Sequence, residues 1–485
     1  MGQSAITRAV TVAGGRFAPG HLGELTRQVP FEMVDAVLEE TRRVQLRVRV
    51  LPARVAVYLL LAGCLFAELG YGQVWARMTA GLGGPPAVSP TAAAMTQARR
   101  RLGPGPLREL FFLLRGPAPG ETRWRGLLAV AIDGTIMTVA DSEANLAVYS
   151  KQRGGPNGAS GYPMLRLLVL VSCGTRTVID AVFGPVSKGE TTCAPGLLGS
   201  LRAGMILLAD RNFGAGFLAA QIAGTRADFL IRVRAGRGAP GLPVLACLPD
   251  GSWLSRFGGV PVRVVDAQVT VTTSAGRATA CCRLMTTLLD PARYPADELA
   301  VLYHERWEVE SAYFELKSTI LGGRVLRART PDGIEQEVWA LLVTYQALRT
   351  AIADAAGTVP GADPDRASFT IALNAARDQV ILAAGVLSGP SADLAGTIGR
   401  HVLASPMPPR RPRISPRAVK RAMSKYNAKG NVDRTTRKAT ITIAILDAPL
   451  TPGDEPKLTG LAANGGSMIG QTALAEDRPG LWAQH

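Results

Sequence analysis

Histidine and cysteine are scarce and scattered in this sequence. Its 485 residues include four histidines, far apart along the chain, and six cysteines without a Cys-x-x-Cys spacing. This argues against a zinc site and against a catalytic triad built on histidine, and such cysteines are typical of core residues in a reducing compartment. Any metal ion would therefore be held by carboxylates, which suit hard cations such as magnesium or manganese.

Long apolar runs are also lacking. The longest uncharged apolar run, 55–67, is shorter than the about 18 residues that cross a bilayer, and residues 1–20 lack the apolar core of a secretion signal. The absence of a Gly-x-x-x-x-Gly-Lys-Ser/Thr loop argues against a P-loop nucleotide motor. With 47% hydrophobic and 19% charged residues, we expect a folded, soluble, cytoplasmic protein with no membrane partner and roughly three domains.

Positive charge is what the sequence has in excess. Fifty-four Lys and Arg residues stand against 38 Asp and Glu residues, which gives a net charge of +16. An excess of this size favours a polyanionic partner, nucleic acid before membrane, and hence an association with the nucleoid. Eleven of the basic residues lie within 405–440, beside a single acidic one. That segment either binds DNA or is a solvated basic tail.

The first part of the chain has the apolar spacing of helices. Within 1–117, helices are expected over 30–40 and 52–69, and Ser89-Pro90 is expected to open another helix that ends in a run of three arginines, 99–101. This helical N-terminal domain is a candidate for DNA binding. It could equally be a packing or dimerisation domain with a basic edge.

Residues 118–355 change to the pattern of an α/β fold with a mixed sheet. A β-rich stretch, 238–292, interrupts this pattern. Beyond it, 356–440 is expected to be helical and then basic, and 441–485 to be a disordered tail. The expected strands and helices of the α/β part are strands over 127–132, 164–173, 177–183, 205–209 and 229–233, and helices over 295–319 and 333–355.

Three acidic side chains are the candidates for chemistry. Asp133 and Asp210 each follow an apolar run and are expected to end a strand. Side chains at strand ends of an α/β sheet converge on one crevice, so we expect these two acids to lie close together. Glu310 is the third candidate and lies on the expected long helix. Asp141 is an alternative to Asp133 as the first of the three.

The helix that carries Glu310 combines this acid with groups that bind phosphate. Tyr303, Arg306 and Lys317 lie at offsets of −7, −4 and +7 from Glu310, which places all four on one helix face. Such a stripe suits a metal site that is pressed against a nucleic-acid backbone. Two magnesium ions about 3.5–4 Å apart can activate the attacking oxygen and stabilise the leaving oxygen of a phosphodiester.

Three blocks of the sequence resemble the signature motifs of DDE transposases of the insertion-sequence-4 group. They are 130–135, 208–213 and 303–317, and the last has the Tyr-(2)-Arg-(3)-Glu-(6)-Lys spacing of that group without deviation. Residues 51–75 resemble the N-terminal domain of the same group. The resemblance therefore covers roughly residues 30–440 and implies an RNase H-like catalytic domain with a β-rich insertion.

The resemblance also implies roles for individual residues. Asp133, Asp210 and Glu310 would bind Mg²⁺, or Mn²⁺ in its place. The implied DNA contacts are Tyr303, Arg306, Lys317, Arg211 and Trp253. Among these, Arg306 and Lys317 would touch phosphates, Tyr303 would help to place the terminal nucleotide, and Trp253 would hold a flipped base.

The resemblance implies a transposase that cuts double-stranded DNA at the terminal inverted repeats of an insertion element. It would join the 3′-hydroxyls to target DNA and would act as a homodimer that holds both ends. Two other functions share these sequence features: a non-catalytic DNA-binding derivative and an RNase H-like nuclease without strand transfer. The intact acids and the intact stripe on the helix favour the transposase over the non-catalytic protein.

Overall fold

The structure is a computed structural model of the chain. No helix among the described residues is both long and apolar enough to cross a bilayer. The described residues are 10–12, 16–45, 47, 49–82, 87–118, 123–154, 158–235, 239–274, 276–383, 393, 395–408, 413–414 and 437–450.

The N-terminal part is helical, as predicted. Its second helix is apolar on every side, and every residue in it except Arg54 is buried, so this helix forms the centre of the N-terminal core. Thr91 rather than Ser89 caps the fourth helix, because its side chain accepts a hydrogen bond from the Ala94 amide (3.1 Å). The elements are β1 (Val10–Val12), β2 (Arg16–Ala18), α1 (Phe31–Glu40), α2 (Ala53–Leu65), α3 (Tyr71–Ala80), α4 (Ala92–Leu102) and α5 (Gly105–Leu114).

A mixed sheet forms the centre of the molecule. Its elements in chain order are β3 (Arg123–Trp124), β4 (Leu127–Thr138), α6 (Glu143–Leu146), β5 (Lys151–Gly154), β6 (Gly158–Ser172), β7 (Val178–Pro185), α7 (Glu190–Cys193), β8 (Met205–Ala209), α8 (Gly216–Gly224) and β9 (Asp228–Val233). Strands β4, β8 and β9 are parallel, β6 is antiparallel to β4, and β7 is antiparallel to β6. The strand order β7-β6-β4-β8-β9 is that of an RNase H-like fold, so this prediction is confirmed.

The predicted β-rich insertion forms strands that extend the same sheet. It contains β10 (Ala246–Cys247), β11 (Trp253–Phe257), β12 (Val260–Thr273) and β13 (Gly276–Thr286). Because β13 pairs with β9, the insertion is continuous with the central sheet. The insertion therefore does not fold as a separate layer.

The C-terminal region contributes a strand that the sequence analysis missed. Strand β15 (Arg437–Ile445) pairs with β12 and with the short β14 (Arg413–Ile414). The prediction of a disordered tail is wrong for residues 441–445, whose alternating Ile and polar residues suit a half-buried strand. The rest of the predicted tail from 451, and most of the basic segment 405–440, lie outside the described residues.

Most of the remaining helices cover one face of the sheet, whereas α8 packs on the other. The predicted helix over 295–319 is continuous but changes its winding: α9 (Ala296–Leu302) passes through a 3₁₀ turn (Tyr303–Arg306) into α10 (Trp307–Phe314), which ends in a π-helical turn (Glu315–Ile320). The long α11 (Pro331–Gly357) packs against α2, α5 and α13 and joins the N-terminal helices to the catalytic domain. The remaining helices are α12 (Phe369–Ile381) and α13 (Gly396–Ala404).

Candidate active site

Asp133 and Asp210 lie level with each other on two neighbouring parallel strands. Ala131 of β4 is paired with Leu208 of β8. Asp133 follows two residues later within β4, and Asp210 follows two residues later, directly after the end of β8. The prediction that Asp133 ends its strand is wrong, because β4 continues to Thr138 along β6. It is β8 that ends, at Ala209, and this leaves a crevice beside β4. The two acids therefore converge as predicted, although for a different reason.

Backbone amides fix the direction of both aspartates. One oxygen of Asp133, Oδ1, accepts a hydrogen bond from the amide of Gly134 (2.8 Å). Oδ1 of Asp210 accepts one from the amide of Asn212 (2.8 Å) and so caps the short 3₁₀ turn Arg211–Phe213. Local hydrogen bonds of this kind hold each carboxylate in one orientation, which a site for a metal ion or a substrate requires.

Arg306 lies between two of the three acids. Its Nη1 is 3.8 Å from Asp133 Oδ2, and its Nη2 donates to Glu310 Oε1 at 3.4 Å. Both distances are longer than the about 2.7–2.9 Å of a well-formed charge-assisted hydrogen bond. The Arg306 side chain is 7% exposed whereas that of Glu310 is 33% exposed, so the acid reaches solvent and the arginine does not. The indole of Trp307 lies 4.7 Å from the guanidinium and covers it.

The environment of Asp133 favours its protonated form. The pKa of this carboxyl is raised to about 7, chiefly by burial and to a smaller extent by the negative charges of Asp210 and Glu310. The Gly134 amide and Arg306 oppose this effect and lower the pKa. A partly buried acid with two acidic neighbours and a raised pKa is typical of a functional site, since a structural acid is normally matched by its partners.

Tyr303 and Lys317 attach the same helix face to the two strands. The Tyr303 hydroxyl donates to the carbonyl of Ala209, the residue before Asp210 (3.3 Å). Lys317 Nζ donates to Thr135 Oγ1, two residues beyond Asp133 (3.0 Å). The structure thus brings the predicted stripe to the middle of β4 and to the end of β8. Tyr303 is buried and its pKa is raised by that burial, so its hydroxyl is in the protein interior.

The three acids have the donor chemistry of a site for hard divalent cations. Within the described part of the chain, no three His, Cys, Asp or Glu residues lie close enough together to hold a metal ion. The Arg306 guanidinium lies between Asp133 and Glu310 and partly neutralises them. The crevice is open on the Glu310 side. Its carboxylate oxygens nevertheless suit Mg²⁺ or Mn²⁺ better than any other metal ion or cofactor.

Tyr313 is a site residue that the sequence analysis missed. Its hydroxyl donates to the carbonyl of Asp133 (2.6 Å) and accepts from the amide of Val169 on β6 (3.1 Å). These bonds hold α10 against β4, which carries Asp133, and against the neighbouring strand β6. The sequence held one indication of this role, because Tyr313 lies three residues after Glu310 and therefore on the same helix face. The sequence alone could not show that its hydroxyl reaches backbone atoms.

The other predicted site residues lie in different surroundings. Arg211 is exposed beside Asp210, where it can contact a bound molecule. Asp141 is exposed and forms an ion pair with Lys151 (2.5 Å). Trp253 is 1% exposed, and its Nε1 donates to Asp266 Oδ2 (3.4 Å). This burial argues against Trp253 as the residue that holds a flipped base, since neither face of its ring is open to solvent.

An RNase H-like sheet with these three motif blocks in this order defines the catalytic domain of a DDE transposase. The chain belongs to the insertion-sequence-4 group of this class. The family model for the transposase DDE domain matches residues 124–346, and the model for the insertion element 4 transposase N-terminal region matches residues 19–112. Membership makes the chain a transposase, an enzyme of a family that acts on DNA and depends on divalent metal ions.

Two relatives and one solved structure are similar to this chain. It is 28% identical over 409 residues to the transposase InsG for insertion sequence element IS4 of Escherichia coli strain K12, which covers 81% of this chain and 91% of that protein. It is 30% identical over 125 residues to the putative transposase InsZ of the same strain. That match covers 25% of this chain and 42% of InsZ. A structure of the piggyBac transposase synaptic complex with hairpin DNA aligns with a TM-score of 0.43 at 10% identity, over 78% and 84% of the two chains.

Proposed function

We propose that this transposase cleaves double-stranded DNA at the ends of an insertion element and joins the freed 3′-hydroxyls to target DNA. Asp133, Asp210 and Glu310 would hold two Mg²⁺ ions, which Mn²⁺ could replace. The observation that supports the proposal is that Asp133 and Asp210 follow paired residues of β4 and β8, with Arg306 between Asp133 and Glu310. When bound, the metal ions supply activation of the attacking oxygen and stabilisation of the leaving oxygen.

The protein's own side chains would position the DNA. Arg306 has planar donors suited to a phosphate and is held by the acids only through long contacts. Lys317 and the exposed Arg211 offer further positive charge on either side of the crevice. The buried hydroxyl of Tyr303 supports a positioning role, because its bond to the Ala209 carbonyl sets where the helix sits on β8.

Cleavage at both ends of an element needs two active sites. One chain has one set of the three motif blocks. We therefore include in the proposal a homodimer that holds the two inverted repeats and the target DNA together. Sedimentation of the protein with duplexes that carry the inverted repeats tests this part, since a complex with one chain for two ends would contradict it.

Neutral substitutions of the acids test the proposed chemistry. Asp133→Asn, Asp210→Asn and Glu310→Gln should each lower the rate of end cleavage in Mg²⁺ at least about a hundredfold, because a bound metal contributes several kcal/mol. Binding to the same duplex should be retained, since phosphate contacts supply most of the affinity. Asp141→Asn is the matched control and should cleave at the normal rate. A variant that cleaves normally would remove its residue from the three, and cleavage without joined product would favour a nuclease.

A further inference from the structure

A π-helical turn lies between Glu310 and the end of its helix. The α-helical winding of α10 ends at Phe314, and the wider turn covers Glu315–Ile320. The amide of Leu321 closes this turn by donating to the carbonyl of Leu316, five residues back (3.2 Å). Such turns are rare, and they frequently occur at functional sites. Because this winding is uncommon, contacts with other parts of the chain are needed to hold it.

Lys317 is the third residue of this turn. In an unbroken α-helix, at about 100° per residue, its side chain would point within about 20° of the direction of Glu310. Each residue of a π turn advances the chain by a smaller angle, so the turn changes the direction of Lys317. In that direction its Nζ donates to Thr135 Oγ1 (3.0 Å), two residues beyond Asp133 on β4. The winding of the turn therefore decides which part of the crevice the ammonium reaches.

Glu315, the first residue of the turn, is held from the side opposite Lys317. Its carboxylate accepts hydrogen bonds from Arg176 Nη1 (3.0 Å), from Arg349 Nε (3.0 Å) and from a second nitrogen of Arg349. The Tyr345 hydroxyl lies 3.1 Å from its Oε2. Arg176 belongs to the turn between β6 and β7, whereas Arg349 and Tyr345 lie on α11. Glu315 therefore ties the π turn to both the sheet and α11.

Glu308 offers a comparison on the same helix face. It is buried like Glu315 and accepts a hydrogen bond from the same arginine, Arg176, at 2.7 Å. It lies in α10, before the π turn, so its ion pair does not set the winding of that turn. The two acids thus share their chemistry and a partner, and they differ in whether Lys317 follows within the same turn.

We propose that Glu315 is a positioning residue for DNA cleavage, which holds the π-helical turn and so directs Lys317 to the residues beyond Asp133. The inference rests on the proposed function, because it takes Lys317 as a contact to a DNA phosphate. The carboxylate itself is buried against Arg176 and Arg349, so it acts through the turn and not by touching DNA. An acid with a purely structural role would stabilise the fold without any dependence on Lys317.

A double-mutant cycle separates positioning from stability. In single-turnover cleavage of a duplex that carries the flanking inverted repeats, Glu315→Gln should slow the reaction by about as much as Lys317→Ala does, on the order of tenfold. In the Lys317→Ala background, the same substitution should change the rate by less than about twofold, because no lysine is left to position. Glu308→Gln is the matched control, and its effect on the rate should be the same in both backgrounds.

Hydrogen exchange of the full chain measures the turn without cleavage. The amides of residues 316–323 should exchange faster in Glu315→Gln than in Glu308→Gln, because only the first variant loses the anchor of the turn. If urea denaturation shows that Glu315→Gln does not fold, Tyr345→Phe takes its place in both measurements. This variant removes only the hydroxyl beside the carboxylate and should shift both measurements in the same direction by a smaller amount.

The outcomes separate this inference from the proposed function. Equal slowing by Glu315→Gln with and without Lys317 would overturn the positioning role and leave end cleavage intact. Exchange in 316–323 that is the same for Glu315→Gln and Glu308→Gln would overturn it as well. An unaltered protein that cleaves no element end would contradict the proposed function, and the exchange measurement would then still decide whether Glu315 holds the turn.

Discussion

The two faces of the helical segment 296–320 carry acids in opposite conditions. On the face towards the strand ends, Glu310 is 33% exposed and meets Arg306 at 3.4 Å. On the opposite face, Glu308 and Glu315 are 2% and 8% exposed. Arg176 is 2.7 Å from Glu308 and 3.0 Å from Glu315, so the buried acids are paired closely and the exposed acid is paired loosely.

The acids of the buried face have several close partners. Glu315 is also bonded by Arg349 Nε (3.0 Å) and by the hydroxyl of Tyr345 (3.1 Å), while Asp365 is a third partner of Arg176. Glu308 and Glu315 of this face, together with the partly exposed Asp365, thus share two arginines. On the crevice face, the contacts that place the acids bring a single guanidinium, Arg306, to both Asp133 and Glu310.

This difference indicates what each face does. Buried ion pairs with full hydrogen bonding fix geometry, and they lose much when one partner is removed. Acids that share too little positive charge keep a negative potential, which a divalent cation can neutralise. We call the face with the closely paired Glu308 and Glu315 the saturated face, and the face with the loosely paired Glu310 the unsaturated face. The first fixes the helix in place, and the second faces the strands that carry the two aspartates.

The largest effect is expected on the saturated face. Arg176→Ala would leave Glu308 and Glu315 buried with less positive charge and should lower the free energy of unfolding by about 3–5 kcal/mol. The matched control is Arg400→Ala, whose ion pair with Asp393 is exposed and should contribute little to stability. Urea denaturation of both variants measures the difference. Equal losses would contradict a structural role for the saturated face.

An effect of pH of comparable size is expected on the unsaturated face. The folded pKa of Asp133 is raised to about 7 from 3.8, so the folded protein binds a proton that the unfolded chain releases. Without divalent metal, this acid should make the protein less stable as pH rises from about 4 to 7, by at most about 1.4 kcal/mol per pH unit. Asp133→Asn should flatten the profile in that window relative to Asp141→Asn. An identical profile in both variants would contradict the raised pKa.

Sequence spacing predicted the unsaturated face better than the saturated one. Tyr303, Arg306, Glu310 and Lys317 form a regular pattern within one helix, and helical geometry alone brings them to one side. Arg176 lies in the turn between β6 and β7, with a left-handed φ of 58°, more than a hundred residues before its partners. No local pattern connects residues at such separation, because their contact depends on how the sheet packs against the helix.

The errors of the sequence analysis have the same origin. Trp253 was predicted to contact a base, but it is buried where β11 packs into the core of the insertion. The Asp-Gly pair at 133–134 indicated a strand end, yet pairing with β6 extends β4 by five residues beyond Asp133. Both errors concern the partners of a segment, which lie elsewhere in the chain. The sequence analysis also missed β15, because its partner β12 lies in the insertion, far away along the chain.

The smallest effect concerns Lys317, which lies on the unsaturated face and bonds Thr135 in this structure. If its ammonium positions a phosphate of the element end, Lys317→Ala should slow cleavage of duplexes that carry the flanking inverted repeats by about tenfold or more, as expected for a charge-assisted hydrogen bond. Metal-dependent nicking of unrelated duplex should fall less, because only the cognate end needs a fixed register at the acids. Lys317→Arg keeps the charge and should restore part of the rate, whereas loss of the Thr135 bond alone, in Thr135→Val, should affect both substrates equally. The test measures cleavage and nicking side by side in Mg²⁺ and in Mn²⁺. An equal loss on both substrates for Lys317→Ala would make this lysine part of a generic nuclease site. The two faces of the helix would then differ in how closely their acids are paired but not in recognition of DNA ends.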